Sequence, residues 1–175
     1  SDMPQVVKAA GLVAERAGTR GMIGGQMIDL LAEDYDVPSK EDEAYKGACL
    51  SLEQIQKRKT AALIEAPILA AAYIYEAPQA IFMALRQYAK ALGVAYQIED
   101  DLLDLVGNAK TIGKSTGKDE EAGKWTAVTL YGDQAKTKLD EVLSQATEAL
   151  DRIDDADYDT KFLRELAVSS AKRIK

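Results

Sequence analysis

Asp100, Asp101 and Asp104, within Gln97-Ile98-Glu99-Asp100-Asp101-Leu102-Leu103-Asp104, place three carboxylates and the Gln97 amide on one face of a helix. Like charges at such spacings cost roughly 0.2–0.5 kcal/mol per pair on an exposed helix, and burial adds to that. A hard divalent cation removes the penalty. Carboxylate oxygens suit Mg²⁺, which keeps several waters and shares its remaining positions with substrate phosphates. The run therefore reads first as a metal and diphosphate site, with a solvated acidic face as the alternative. Its neighbours favour the former: Gly93, Val94, Ala95, Tyr96 and Ile98 precede the acids, and Leu102, Leu103, Leu105 and Val106 interleave with them or follow. That is too apolar all round for an ordinary surface helix, so the carboxylates are expected to face a cavity.

Lys59-Thr60 lies in a helical stretch, where a lone lysine is ordinarily a solvated charge; its functional reading is phosphate binding. Lys114 and Lys124 flank the loop after the acids, and each alone also reads as surface charge. Beside the acidic face they supply point-charge partners for diphosphate oxygens. Two other patterns are decoys. Gly107 to Ser115 looks like a phosphate-binding loop, but five residues rather than four separate Gly107 from Gly113, and it follows a helix instead of a strand. Asp155, Asp157 and Asp159 begin like a calcium loop, yet Thr160 replaces the turn glycine and Leu166 the bidentate glutamate, so a helix-capping linker is expected.

The elements that must position these groups belong to a chain of 175 residues and 19.0 kDa with 47% hydrophobic content, enough for one domain, 1–175, with a substantial core. A net charge of −7 and a pI near 4.8 argue against sequence-independent nucleic-acid binding and give no reason for attraction to anionic membranes. Any phosphate affinity must be local. Cys49 is the only cysteine, which excludes an internal disulfide and makes the cytoplasm the simplest compartment. The absence of histidine removes histidine triads, histidine zinc sites and the commonest general base. Chemistry here must run on carboxylates, lysines and metal. The most apolar stretch, Ala61 to Tyr75, is interrupted by Glu65 and Pro67 and is too short to span a bilayer, so membrane insertion is not expected.

Helical signals recur throughout. Pro4 opens a first segment to about Gly18, and a second runs from about Thr19 to Glu33. Residues 34–48 are charged and turn-rich. Ser51 and Gln54 form a capping box ahead of a helix carrying Lys59 and the apolar run to Tyr75, kinked at Pro67. Pro78 suits the first turn of the longest helix, ending near Gly107. After a short segment from Trp125 to Tyr131, Gly132 and Asp133 read as a stop and a new N-cap. Leu139, Val142, Leu143, Ala146, Leu150 and Ile153 then make an apolar stripe, and a last helix spans roughly Thr160 to Arg173.

In order, Gly25-Gln26-x-x-Asp29, Lys59-Thr60, the Gln97 to Asp104 run, Gly113-Lys114 and Asp119 with Lys124 resemble trans-isoprenyl diphosphate synthases, the polyprenyl synthetases, over essentially the whole chain. The chain looks like the C-terminal part of a bacterial farnesyl or geranylgeranyl diphosphate synthase. The resemblance implies an all-α isoprenoid synthase bundle, N-terminally truncated, in which Asp100, Asp101 and Asp104 form the second aspartate-rich motif and hold Mg²⁺ on the allylic diphosphate. It implies that Lys59, Thr60, Gln97, Lys114 and Lys124 contact that diphosphate or assist its ionisation, the three lysines being catalytic. Gly25, Gln26 and Asp29 match the small-residue helix lining the pocket, with Gln26 and Asp29 on the substrate. The Gly-Gln pattern favours a short-chain product, farnesyl before geranylgeranyl.

In such enzymes the allylic diphosphate ionises, isopentenyl diphosphate attacks the cation, and the released diphosphate is thought to take the proton. The implied partners are those two diphosphates, a second copy in a homodimer, and the missing N-terminal segment. No second DDxxD and no Arg-Arg pair occurs in this sequence, so the family's first aspartate-rich motif and its isopentenyl diphosphate residues are absent, and the chain alone is expected to be inactive. Two rivals stay open: a class I terpene cyclase, which Lys59-Thr60 and Gly25-Gln26 disfavour, and a non-catalytic or regulatory helical subunit.

Overall fold

The computed structural model describes residues 3–111, 124–154, 156 and 158–171, and every element among them is helical. The helices are α1 (Pro4–Ala17), α2 (Met22–Ala32), α3 (Ala44–Ile55), α4 (Ala62–Ile74), α5 (Gln79–Thr111), α6 (Ala127–Tyr131), α7 (Ala135–Asp154) and α8 (Lys161–Ala171), with a π-helical turn, Gln56–Ala61, joining α3 to α4. Among the described residues no helix is long and apolar enough to cross a membrane. The all-α expectation holds.

The spine is α5, 33 residues long and therefore about 50 Å at 1.5 Å per residue. Pro78 precedes it, and its carbonyl accepts the Phe82 N–H at 2.9 Å. One side of α5 buries Tyr88, Ala89, Leu92, Ala95 and Ile98 against Leu139, Val142, Ala146, Leu150 and Ile153 of α7, the stripe legible from the sequence period. Tyr88 is buried, its hydroxyl donating to the Leu163 carbonyl at 2.8 Å, which ties α8 to the spine. A smaller cluster packs Ala48 and Leu52 of α3 on Leu130 of α6, with half-buried Cys49 beside them.

Several boundaries differ from expectation. Ser51 lies inside α3 instead of capping a new helix, because α3 has already started at Ala44, whose N–H is accepted by Asp42 Oδ1 at 2.9 Å. A local capping pattern loses to a helix nucleated upstream. The irregularity expected at Pro67 appears earlier, in the π-turn, and α4 runs through Pro67 to Ile74. Helix α2 begins at Met22, not Thr19: a Cβ on Gly21 would lie 1.9 Å from the Arg16 carbonyl oxygen, so the chain doubles back too tightly there for any other residue. Gly132, at φ +56°, does stop α6, but Asp133 sits in a 3-10 turn and α7 starts at Ala135. Of the rejected calcium-like acids, Asp159 caps α8 by accepting the Lys161 N–H at 2.8 Å; Asp155 and Asp157 lie outside the described residues.

Candidate functional site

Four elements converge near the C-terminal part of α5. Two backbone crossings fix their register. A Cβ at Gly25 would stand 2.2 Å from the Lys59 amide nitrogen, and a Cβ at Gly93 2.3 Å from the Ala61 Cα. Glycine at both positions lets α2 and α5 press directly on the π-turn that carries Lys59 and Thr60. Single π-turns inside helices often occur at functional sites, and this one separates the side chains of neighbouring residues onto different walls.

On the α2 wall, Asp29 is 5% exposed and accepts from Lys59 Nζ, while Lys124 Nζ stands 4.0 Å from the same Asp29 Oδ2 and 3.8 Å from Glu33 Oε1. One buried carboxylate thus gathers two of the expected lysines. On the α5 wall, Thr60 Oγ1 donates to Gln97 Oε1 at 2.6 Å, and Gln97 Nε2 donates to Asp101 Oδ1 at 3.1 Å. The other Asp101 oxygen accepts the Ala127 N–H at 2.7 Å. That donor is one of the orphan amides at the start of α6, held in place by a capping box in which Thr126 Oγ1 accepts the Thr129 N–H at 3.1 Å and Thr129 Oγ1 accepts the Thr126 N–H at 2.8 Å.

Burial pushes the Asp101 carboxyl above the ordinary carboxylate range; the Ala127 and Gln97 donors oppose this, and the charges of Asp100 and Asp104 add to it. Asp100 and Asp104 themselves are exposed. The reason is that the partners of α5 among the described elements, α4, α6, α7, α8 and the π-turn, leave this stretch of it uncovered. Nearby apolar groups are exposed as well: Ile23, Met27 and Leu30 on α2, and Tyr96 and Leu105 on α5.

Among the described residues no three acidic, histidine or cysteine side chains converge tightly enough to cage an ion. The donor set still fits Mg²⁺, because Asp100 and Asp104 present hard oxygens one helical turn apart, and this ion is commonly held through one or two carboxylates plus phosphate oxygens. Gln26 is exposed on α2. Gly113, Lys114 and Asp119 lie outside the described residues.

Sequence reasoning missed three contributors. Glu33 shares Lys124; Trp125 donates its indole N–H to the Asp36 carbonyl at 3.3 Å and packs its ring 6.3 Å from that of Tyr35; the Ala127 amide holds Asp101. Only Glu33, one turn beyond Asp29, carried any sequence signal.

The described site thus sets two lysines and a hydroxyl beside an aspartate-rich helix in an all-α scaffold. The chain matches the polyprenyl synthetase family over residues 3–159 and belongs to it. It is 34% identical over 174 residues to the farnesyl diphosphate synthase of Escherichia coli, covering 95% of this chain and 55% of that protein. It is 37% identical over 150 residues to the farnesyl diphosphate synthase of Bacillus subtilis, covering 83% and 47%. A solved FPP/GFPP synthase from Zymomonas mobilis superposes with a TM-score of 0.74 at 28% identity, over 97% of this chain and 52% of that one. The chain spans about half the length of the curated relatives it matches.

Proposed function

We propose that this chain forms the allylic-diphosphate side of a short-chain trans-prenyltransferase, which joins an allylic diphosphate to isopentenyl diphosphate, with farnesyl diphosphate the favoured product and geranylgeranyl diphosphate next. The observation that carries this reading is buried Asp29 holding Lys59 and Lys124 beside the Thr60–Gln97–Asp101 chain. The two lysines are pre-positioned cations for a leaving diphosphate, and they require little reorganisation when its charge develops. Thr60 and Gln97 orient it by hydrogen bonds. Lys114, Gln26 and Asp29 are assigned to the same substrate. Mg²⁺, held through Asp100 and Asp104 with Asp101 beside them, would neutralise part of the diphosphate charge. No protein nucleophile is needed.

The reading further takes the enzyme to be a cytoplasmic homodimer. It assigns the isopentenyl diphosphate site to residues outside this chain, which is expected to be inactive on its own. Because the acids alone offer too few ligands, Mg²⁺ affinity should be weak in the free chain and rise with an allylic diphosphate analogue present. Calorimetric titration with and without the analogue decides this. Equal affinity in both conditions, or no loss in Asp100→Ala, would overturn the shared site.

A further inference from the structure

We propose a second anion site, specific for a small multivalent phosphate such as diphosphate, in the cleft between the C-terminal end of α1, the π-turn with α4, and the N-terminal half of α5. This depression, about 420 Å³, is lined by Arg16, Arg20, Lys57, Arg58, Arg86 and Lys90, and by one carboxylate, Glu65. Six cations against one acid is a strong local field in a chain whose net charge is −7.

The floor is built rather than incidental. Glu65 is buried, and its Oε1 accepts from Arg16 Nη2 at 3.0 Å and from Arg86 Nε at 3.2 Å, so a single negative charge fixes two guanidinium groups. Arg16 Nε is buried with no acceptor among the described residues. Lys57 is paired with Glu53 at 2.8 Å, and Arg20 lies 3.9 Å from Glu15. Arg58 and Lys90 are exposed and make no ion pair among the described residues. They remain available to a ligand above a floor that already carries excess positive charge. A multivalent phosphate matches this set better than a carboxylate does, since it offers several charged oxygens to guanidinium forks and an ammonium at once.

The cleft is separate from the Asp29–Asp101 site. None of Asp29, Lys59, Thr60, Gln97 or Asp101 lines it. It opens instead toward a neighbouring depression of about 490 Å³, with which it shares Lys57, Gln87 and Lys90.

The test is calorimetric titration of inorganic diphosphate into the chain with a chelator present, at fixed ionic strength. The wild type should bind, and Arg58→Ala/Lys90→Ala should bind at least tenfold more weakly with an unchanged melting temperature, because both side chains are exposed. Lys136→Ala, which removes an exposed lysine of α7 that does not line the cleft, should stay within about twofold of wild type. Absence of binding in the wild type, equal affinity in the Arg58→Ala/Lys90→Ala variant, or an equal loss in Lys136→Ala would overturn the proposal. Methyl diphosphate run in parallel separates the sources: affinity equal to that of inorganic diphosphate assigns the site to the terminal diphosphate of an organic ligand as well, and a weaker methyl ester restricts it to the free anion.

Discussion

At the corner between α7 and α8, Arg164 Nη2 donates to Asp151 Oδ1 at 2.6 Å and to Asp154 Oδ2, and the Thr160 hydroxyl donates to Asp154 Oδ1 at 2.5 Å. On α5, by contrast, the donors to Asp101 among the described residues are the neutral groups of Gln97 and Ala127, while the charges of Asp100 and Asp104 repel it. The consequences have opposite signs. Thr160 and Arg164 hold the Asp154 carboxyl below its ordinary range, and burial lifts that of Asp101 above it. Asp-rich stretches of similar composition therefore end as different things. The corner cluster has its cation built in and is finished structure. Among the described residues Asp100, Asp101 and Asp104 form no ion pair, and Lys59 and Lys124 on the neighbouring wall pair with Asp29 instead, so the negative charge of the cluster is left for something supplied from outside.

The largest effects should separate the two clusters by activity. In a protein extended to the length of its relatives, Lys59→Ala and Asp100→Ala should each lower kcat by roughly 10²–10³, the usual loss when one preorganised charge is removed from a site of this kind. The melting temperature of Asp100→Ala, where an exposed carboxylate is removed, should hardly move, whereas that of Lys59→Ala should fall somewhat because buried Asp29 loses its nearer cation and keeps only Lys124. Arg164→Ala should instead spare the rate and lower the melting temperature. Steady-state rates beside thermal melts decide it, and near-normal rates in the first two variants would return those residues to structural roles.

Next in size is the crossing that delivers Lys59 to Asp29. Gly25→Ala forces a methyl group into the Lys59 amide, where no flexible side chain can move aside. The cost should be about 1–3 kcal/mol of stability, as for other overpacked contacts, read from denaturant unfolding. An unchanged midpoint would mean that the π-turn relaxes freely.

That crossing also marks where the sequence was readable and where it was not. The α7 stripe from Leu139 to Ile153 was plain because burial on one face imposes a 3.6-residue period. The aspartate run was plain because its charges conflict with their apolar setting. The π-turn left no such trace: Gln56–Ala61 has ordinary helical composition, and what shapes it is the approach of Gly25 and Gly93 from distant parts of the chain. Ser51 and Gln54 gave a false start because a local cap cannot show that a helix is already under way. The pairing of Asp29 with Lys59, 30 residues apart, has no local pattern to announce it, and the resemblance named both residues without joining them. The Ala127 amide, a backbone donor, has no side-chain signature at all.

A smaller effect tests the corner. Arg164→Ala should lower the melting temperature at neutral pH, with the loss shrinking in high salt because the cluster is solvent-facing. The depressed pKa of Asp154 means that its ionised form supplies stability above the ordinary carboxylate value, and that this stability disappears as pH falls through the lowered one. The gap between wild type and variant should therefore close on acidification. A gap independent of pH would assign the effect to packing.

The smallest effect has the opposite pH sense and sharpens the contrast most. Because the Asp101 pKa is raised on folding, its favourable contribution is fully present below the ordinary value of 3.8 and is lost as pH rises through the folded-state value. Asp101→Asn, which has no charge to desolvate and keeps an oxygen for the Ala127 N–H, escapes that loss. The melting temperature of the variant relative to wild type should rise from acid to neutral pH, where wild type carries the buried charge. Added Mg²⁺ with a diphosphate analogue should narrow or reverse the difference, since an external cation favours the ionised carboxylate that the free chain penalises. Arg164→Ala should show no such response to those ligands. A difference for Asp101→Asn that stays constant with pH, or that ignores Mg²⁺ and diphosphate together, would mean that Asp101 is a structural acceptor for α6 and takes no part in holding the ion.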